Sequence, residues 1–233
     1  MKVLIFGATG MVGQGVLREC LRAPDVEAVQ TIGRMRTGQL DPRLTEVIQP
    51  DLMDYRAQES SLVGFDACFF CLGVSSAGMS EADYTRLTYD LTLAAAQTLS
   101  RLNPGMTFVY VSGAGTDSTV QGRGMWARVK GKTENALRKL PFKAVYLFRP
   151  GVIEPLHGAR SKTRSYRLFY ALAKPFLSTL RALLPNQILS TEDIGRAMLA
   201  VARHGADKAV LETADLRALS READTPVPGL HPG

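Results

Sequence analysis

The sequence predicts an α/β fold built on a parallel sheet, and three observations support this prediction. Short runs rich in β-branched and aromatic residues alternate with helical patterns up to about residue 150. The first run leads directly into a glycine-rich loop, which an apolar helical pattern follows. The chain has 233 residues, of which 45% are hydrophobic, and this suits one substantial core. We therefore expect a doubly wound sheet of the Rossmann type, flanked by helices on both faces.

The alternation predicts six strands and four helices. The strands are expected near residues 2–7, 27–33, 45–49, 66–72, 106–112 and 143–149. Three helices are expected at about 11–23, 83–102 and 125–139, the second with Leu87 and Leu91 at helical spacing. A fourth helix begins at Ser190 or Thr191, whose hydroxyls can cap it, and ends at Gly205. This last helix forms a small extension of the same domain.

One domain is expected over residues 1–218. Within it the alternation breaks after residue 151, and residues 154–186 are interpreted as a variable substrate or lid segment. The part from Ser161 to Leu184 is basic and amphipathic, so it either covers the core or touches an anionic membrane or an acidic protein. The tail over residues 219–233 contains little that could be buried and is expected to be mobile.

Composition and charge exclude several classes of protein. The formal net charge is +6, with −4 on residues 1–120 and +10 on residues 121–233. A phosphate-rich cofactor or an anionic surface fits this excess, and no specific nucleic acid is expected because no recognition motif accompanies it. Cys20, Cys68 and Cys71 offer neither a disulfide framework nor zinc-ligand spacing, so no metal site is predicted. The first apolar run is too short for a signal peptide or a membrane span, and we expect a cytoplasmic protein.

The glycine-rich loop is the strongest functional signal in the sequence. It reads Gly7-Ala8-Thr9-Gly10-Met11-Val12-Gly13 and joins the first strand to the first helix. Glycines in this order let the backbone turn beneath a pyrophosphate, while the helix N-terminus supplies amide donors and a favourable dipole. The loop therefore predicts a dinucleotide site with contacts from Gly7, Thr9, Gly10, Met11, Val12 and Gly13.

The end of the second strand predicts which dinucleotide is bound. An acid at this position would bind the ribose hydroxyls of NAD and repel a 2′-phosphate, but the chain has Arg34 and no acid. A guanidinium can bind the phosphate and stack on adenine, so we expect NADP(H) as the cofactor. Asp51 and Leu52 are expected beside the adenine. The run Cys71-Leu72-Gly73 is expected to line the pyrophosphate and the nicotinamide ribose.

Taken in order, the motifs resemble those of the atypical short-chain dehydrogenase/reductase family, in its NAD(P)-binding or NAD-dependent epimerase/dehydratase-like branch. The sequence is especially similar to small oxidoreductase-like proteins of the Tat-interacting-protein type. The resemblance spans almost the whole chain and rests on four motifs. They are the glycine loop, Val109-Tyr110-Val111-Ser112-Gly113-Ala114, Phe148-Arg149-Pro150-Gly151 and Ser190-Thr191-Glu192-Asp193-Ile194-Gly195.

This resemblance implies a catalytic serine followed by a Tyr-x-x-x-Lys pair, in which the tyrosine transfers a proton to or from the substrate oxygen. Ser112 and Lys130 match the serine and the lysine, but Trp126 stands at the tyrosine position. Lys130 is also expected to bind the nicotinamide ribose, and Pro150 and Gly151 to contact the cofactor. Because an indole cannot exchange a proton at neutral pH, Tyr84 is considered as another donor.

Two functions of different classes are therefore open. The first is an NADP(H)-dependent oxidoreductase or epimerase-like enzyme that acts on a small carbonyl or hydroxyl substrate through hydride transfer. Retention of Ser112 and Lys130 favours it. The second is a non-catalytic NADP(H)-binding protein that senses redox state or regulates a partner, and Trp126 favours this alternative. The sequence predicts neither the substrate nor the oligomeric state.

Overall fold

The computed structural model describes residues 1–159 and 188–222. The strands are β1 (Lys2–Phe6), β2 (Ala28–Gly33), β3 (Leu44–Ile48), β4 (Ala67–Phe70), β5 (Thr107–Val111), β6 (Ala144–Arg149), β7 (Val152–Glu154), β8 (Ile188–Ser190) and β9 (Val210–Glu212). The α-helices are α1 (Met11–Arg22), α2 (Glu81–Thr85), α3 (Leu91–Leu102), α4 (Met125–Leu137), α5 (Thr191–His204) and α6 (Thr213–Glu222). A 3₁₀ helix spans Arg56–Leu62, and a π turn over Arg86–Asp90 joins α2 to α3.

Seven strands form one parallel sheet in the order β3-β2-β1-β4-β5-β6-β9, and β7 pairs with β8 in a second, two-stranded parallel sheet. Helices cover both faces of the large sheet, which confirms the predicted Rossmann-type fold. The chain builds outward from β1 in both directions, so the order of the strands reverses between β1 and β4. Crevices for ligands form at the carboxyl ends of strands at such a point.

The core occupies both faces of the sheet because the central strands β1, β4 and β5 are apolar beyond their first residues. In β1, Val3 and Ile5 pack on the face covered by α1, α5 and α6, while Leu4 and Phe6 pack on the face covered by α3 and α4. Successive side chains of a strand point to opposite faces, so a continuous apolar run is what a fully covered parallel strand requires. Phe6 stacks on Phe70 of β4 with ring centroids 5.2 Å apart.

Helices α1 and α5 approach each other closely through two glycines. A Cβ at Gly15 of α1 would lie 2.5 Å from the Thr191 carbonyl oxygen, and a Cβ at Gly195 of α5 would lie 2.8 Å from Glu19 Cγ. Glu19 is buried at this contact and pairs with Arg18 and with Arg196, the latter at 3.5 Å. The helix that follows the glycine loop is thus held in place by a helix from the far end of the sequence.

The predicted strands and helices are found with small changes at their ends, and the differences have physical reasons. Strands β7, β8 and β9 were not predicted because each has only three residues, too few for a periodic pattern. The predicted boundary of the tail at residue 219 is too early, because α6 continues to Glu222 and buries Ser220. The helix predicted over 83–102 is interrupted by the π turn. Cys68 and Cys71 pack on opposite faces of the sheet.

Several predictions fall on parts of the chain outside the described residues. They are the basic segment from Ser161 to Leu184, most of the variable segment 154–186, and the tail from residue 223 onward. Within residues 1–159 and 188–222, no helix has the length and apolar character needed to cross a membrane.

Candidate dinucleotide site

A cavity of about 530 Å³ opens at the carboxyl ends of β1, β2 and β4, where the strand order reverses. Its lining comes from the glycine loop, from the loops after β2, β3 and β4, and from the π turn with the start of α3. The lining residues are Gly7, Ala8, Thr9, Gly10, Thr31, Ile32, Gly33, Arg34, Met35, Thr37, Pro50, Asp51, Leu52, Met53, Cys71, Leu72, Gly73, Val74, Arg86, Leu87 and Leu91. The cavity therefore brings together most of the predicted cofactor residues.

The glycine loop has the close backbone contacts that exclude larger residues. Gly7 has a φ of +77°, and a Cβ there would lie 2.8 Å from the carbonyl carbon of Cys71. A Cβ at Gly13 would lie 2.1 Å from the Gly7 carbonyl oxygen. The Gly10 amide donates to that same oxygen at 2.8 Å. No side-chain hydrogen bond caps α1 at Gly10, so no capping side chain occupies the first amide groups of this helix.

Arg34 lies at the end of β2 and lines the cavity with an exposed side chain. Among residues 1–159 and 188–222 it has no acidic partner. The nearby acid, Glu46, has other partners. It accepts hydrogen bonds from the amide and hydroxyl of Thr37 and lies 3.7 Å from Arg36. Burial raises the pKa of Glu46, but the Thr37 hydrogen bonds outweigh it and hold that pKa below its usual value. The charge of Arg34 is therefore available to an anion.

The loops after β3 and β4 form two further walls. Asp51 accepts a hydrogen bond from the Met53 amide at 2.9 Å, and the Gln49 side chain donates to the Asp51 carbonyl at 2.8 Å, so this turn is held by its own contacts. Cys71 extends β4 by one hydrogen bond, from its amide to the Phe6 carbonyl at 2.9 Å. Burial raises the pKa of the Cys71 thiol to about 12, so this cysteine is a neutral lining group.

Ser112 follows β5, and Lys130 of α4 places its ammonium at the end of the same strand. Lys130 Nζ donates to the Val111 carbonyl at 3.2 Å and lies 3.9 Å from the position of a Cβ at Gly73. Only 8% of the Lys130 surface is exposed, and this burial lowers the pKa of its ammonium to about 8, against the opposing effect of Glu134. The Ser112 hydroxyl donates to the Phe148 carbonyl at 3.1 Å. Neither residue belongs to the cavity lining.

Trp126 lies one turn before Lys130 on α4, so both side chains project from the same side of the helix. The indole is 37% exposed and covers Gly115 of the loop after β5, where a Cβ would lie 3.4 Å from Trp126 Cη2. The position that the resemblance assigns to a catalytic tyrosine is therefore an accessible, apolar surface. Its ring nitrogen can donate a hydrogen bond but cannot accept a proton.

The structure does not bring every predicted residue to the cavity. Tyr84 is only 2% exposed and is packed within the protein near Tyr110, away from the lining. Pro150 and Gly151 support neighbouring loops, since the Pro150 carbonyl accepts from the Ala114 amide and the Gly151 amide donates to the Thr213 hydroxyl, both at 2.9 Å. Met11, Val12 and Gly13 follow the loop but do not line the cavity.

Sequence reasoning missed one wall of the cavity, which is lined by Arg86, Leu87 and Leu91. The two leucines were read as parts of an apolar helix face. No sequence motif marks Arg86 as a binding residue. Its place in the cavity lining depends on the π turn on which it lies.

The fold is an α/β architecture that is also found in epimerases and short-chain dehydrogenase-like enzymes. The Bordetella bronchiseptica enzyme WbmF, solved in complex with NAD+, is 15% identical, covers 99% of this chain and 81% of its own, and has a TM-score of 0.68. A UDP-N-acetylglucosamine 4-epimerase from Methanobrevibacter ruminantium is 17% identical, with a TM-score of 0.66 over 91% of this chain and 75% of its own. At these identities the likeness shows the fold.

The family follows from comparison with curated proteins. Protein fmp52 of Emericella nidulans is 31% identical over 170 residues, which cover 70% of this chain and 70% of that protein. Protein HTATIP2 of Rattus norvegicus is 27% identical over 154 residues, covering 65% and 62%. The chain belongs to the Fmp52 family, and its predicted resemblance to Tat-interacting-protein-type proteins is confirmed. No family model matches the chain.

The prediction of a cytoplasmic location is wrong. Fmp52 relatives from five fungi are named as mitochondrial proteins, which points away from the cytoplasm. The sequence criterion failed because it tested only for secretory and membrane-spanning segments. Such segments do not separate cytoplasmic from mitochondrial proteins, whose import signals have a different, arginine-rich character.

Proposed function

We propose that the chain binds NADP(H) and acts as an oxidoreductase or epimerase-like enzyme on a small carbonyl or hydroxyl substrate. The observation that carries the proposal is the 530 Å³ cavity, whose lining combines the glycine loop with Arg34. Arg34 has no acidic partner among residues 1–159 and 188–222. Any side chain at Gly7 or Gly13 would collide with backbone, so this loop keeps the space that a pyrophosphate needs. The cavity thus suits a dinucleotide that carries an additional phosphate.

The other predicted site residues fit this cofactor in definite roles. The pyrophosphate is assigned to the glycine loop and the first turn of α1, the 2′-phosphate to Arg34, and the adenine to the turn containing Asp51 and Leu52. The run from Cys71 to Gly73 leads toward Lys130, whose ammonium is assigned to the nicotinamide ribose. Bound at this site, the nicotinamide would supply or accept a hydride. These roles rest on the lining and on the 3.9 Å between the Gly73 Cβ position and Lys130 Nζ.

Ser112 and Lys130 are the groups that support catalysis. The Ser112 hydroxyl donates a hydrogen bond to the Phe148 carbonyl, so its lone pairs remain able to accept a hydrogen bond from a substrate hydroxyl. The Lys130 ammonium can stabilise negative charge that develops on a substrate oxygen nearby. Trp126 is the observation that favours the second candidate, a non-catalytic NADP(H)-binding sensor or regulator, because the usual proton donor is missing from α4.

Calorimetric titration with NADP+ and NAD+ tests the cofactor assignment. We expect NADP+ to bind more tightly by about ten- to a hundredfold, which is what a charge-assisted contact of roughly 1.5–3 kcal/mol contributes. Arg34→Ala should remove this preference while affinity for NAD+ stays the same. The matched control is Arg36→Ala, an exposed arginine two residues further on that pairs with Glu46. Equal affinities in the parent, or a preference that survives in Arg34→Ala, would contradict the assignment.

A further inference from the structure

We propose that Arg86, on the π turn between α2 and α3, binds the pyrophosphate of the dinucleotide from the wall of the cavity that sequence reasoning missed. This inference rests on the proposed function, because it assigns a second phosphate-binding side chain to the same site. Arg86 lines the cavity with Leu87 and Leu91, and its side chain is exposed.

The first argument is the absence of an acidic partner. Other arginines on the same side of the fold are neutralised: Arg101 of α3 pairs with Glu59, and Arg128 of α4 pairs with Glu81 of α2 at 2.7 Å. Arg86 lies between Glu81 and Arg101 in the sequence and has no ion pair within the described residues. A guanidinium that borders a cavity without a counter-ion is suited to bind an anion there.

The second argument is the π turn itself. Its hydrogen bond runs from the Leu91 amide to the Arg86 carbonyl, five residues back. In an uninterrupted α-helix, residues five apart differ by about 140° around the axis and could not border one cavity so readily. The widened turn lets Arg86, Leu87 and Leu91 share a surface while Tyr84 and Thr88 stay buried. Such turns are rare and are frequently found at functional sites.

The third argument is charge. The charged residues of the lining are Arg34, Arg86 and Asp51, so the cavity carries two cations and one anion. NADP+ presents phosphate at two places, the 2′-position of the adenosine ribose and the pyrophosphate. Arg34 follows β2, where the adenosine ribose is expected, which leaves the pyrophosphate for Arg86. There the guanidinium would complement the amide groups at the start of α1, which are neutral dipoles.

Titration of Arg86→Ala with both dinucleotides tests this inference. Because NADP+ and NAD+ share the pyrophosphate, we expect affinity for both to fall by a similar factor of about ten to a hundred. Arg34→Ala, in contrast, should weaken NADP+ alone. Arg101→Ala serves as the control, since this arginine also belongs to the α2–α3 region but pairs with Glu59 outside the lining. Circular dichroism of each variant checks that the fold is intact.

The outcomes separate the inference from the proposed function. If the parent protein binds neither dinucleotide, the proposed function fails and the inference fails with it. If the parent binds and Arg86→Ala binds equally well, the inference alone is overturned. A loss confined to NADP+ also overturns it, because it would assign Arg86 to the 2′-phosphate. A matched loss for both cofactors, with Arg101→Ala unchanged, supports it.

Discussion

Lys130 has a buried ammonium whose charge is costly in its surroundings. Its Nζ has one hydrogen bond, to Val111, and lies 5.2 Å from the centre of the Tyr110 ring. Glu134, the acid one turn further along α4, forms its own buried pair with Arg149. Burial is therefore the larger influence, and the pKa of Lys130 falls from 10.5 to about 8. A bound anion or ribose would favour the charged form and restore part of this shift.

We predict that the contribution of Lys130 to the stability of the protein without cofactor rises with pH between about 8 and 10.5. In this window the folded state holds Lys130 neutral while the unfolded state still binds its proton, so raising the pH favours folding. The effect is expected to be of the order of 1–3 kcal/mol, measured by urea unfolding at several pH values. Burial raises the pKa of the Cys20, Cys68 and Cys71 thiols, so they ionise first in the unfolded state and oppose this rise in the same window. The effect of Lys130 is therefore measured as the difference between the parent and Lys130→Met.

Lys130→Met provides the control for this prediction. It keeps the length and apolar stem of the side chain but has no proton to lose, so its unfolding free energy should lack the rise. If the parent and Lys130→Met show the same pH profile, Lys130 is not the group responsible.

Trp126 is the residue on which the choice between enzyme and binding protein depends. We predict that Trp126→Tyr increases NADPH-dependent carbonyl reduction, by up to about a hundredfold, because a phenol activated by Lys130 can donate the proton that an indole cannot. Consumption of NADPH with a panel of aldehydes and ketones measures it. Trp126→Phe, which keeps an aromatic ring but has no group that can donate a proton, should remain as slow as the parent.

Fast turnover by the parent, reduced in Trp126→Tyr, would contradict this prediction. It would show that a residue other than the one at position 126 supplies the proton. Tyr84 would then have to become accessible from its buried position, and Tyr84→Phe is the variant that would test it.

At the scale of elements, the loop between β5 and α4 packs so closely on α4 that the helix has room only for a glycine at the contact. The Asp117 carboxylate accepts hydrogen bonds from the amides of Thr119, Gln121 and Gly122. The carbonyl oxygen of Asp117 packs directly onto α4, only 1.8 Å from where a Cβ at Gly131 would be. This contact fixes the distance between the loop that begins at Ser112 and the helix that carries Trp126 and Lys130.

We predict that Gly131→Ala lowers the free energy of unfolding by about 1–3 kcal/mol, the usual cost of forcing an extra group into a packed contact. It should also weaken cofactor or substrate binding, because the loop after β5 must move away from α4. Denaturant unfolding measures the first effect and calorimetric titration the second. Gly105→Ala is the control, because a Cβ at Gly105 would meet no atom within 4 Å. Comparable losses in both variants would contradict this account.

The elements also show which features a sequence can predict. The central strands and α1 were placed well because their apolar patterns are long and their ends are marked by glycine or by capping residues. The start of α5 was predicted at Ser190 or Thr191 from their hydroxyls, and the structure has Ser190 as the cap, in a capping box with Asp193. The π turn was not predictable, because it changes the hydrogen-bond register without requiring a particular residue type. Arg86 was missed for this reason.

At the scale of the whole molecule, the position of the cavity could be predicted from the glycine loop and the parallel sheet. Once the glycine loop was assigned to the first strand, the loops after the next strands had to converge at one edge of the sheet, and Arg34, Asp51 and Gly73 do so. Pro150 and Gly151, which were assigned from the family resemblance, and Tyr84, which was considered as a substitute donor, lie outside the cavity lining. Contacts between loops depend on their conformations, which no pattern of residue types encodes.

The contact between α1 and α5 has a consequence for the order in which the protein is made. Arg196 and Glu19 are 177 positions apart, so the first helix leaves the ribosome long before the helix that covers it has been translated. Until then Val16, Leu17 and Cys20 lack the cover that Ile194 and Met198 later provide. A nascent chain therefore carries the glycine loop early, but the helix that follows this loop gains its packing partner only after α5 has been synthesised.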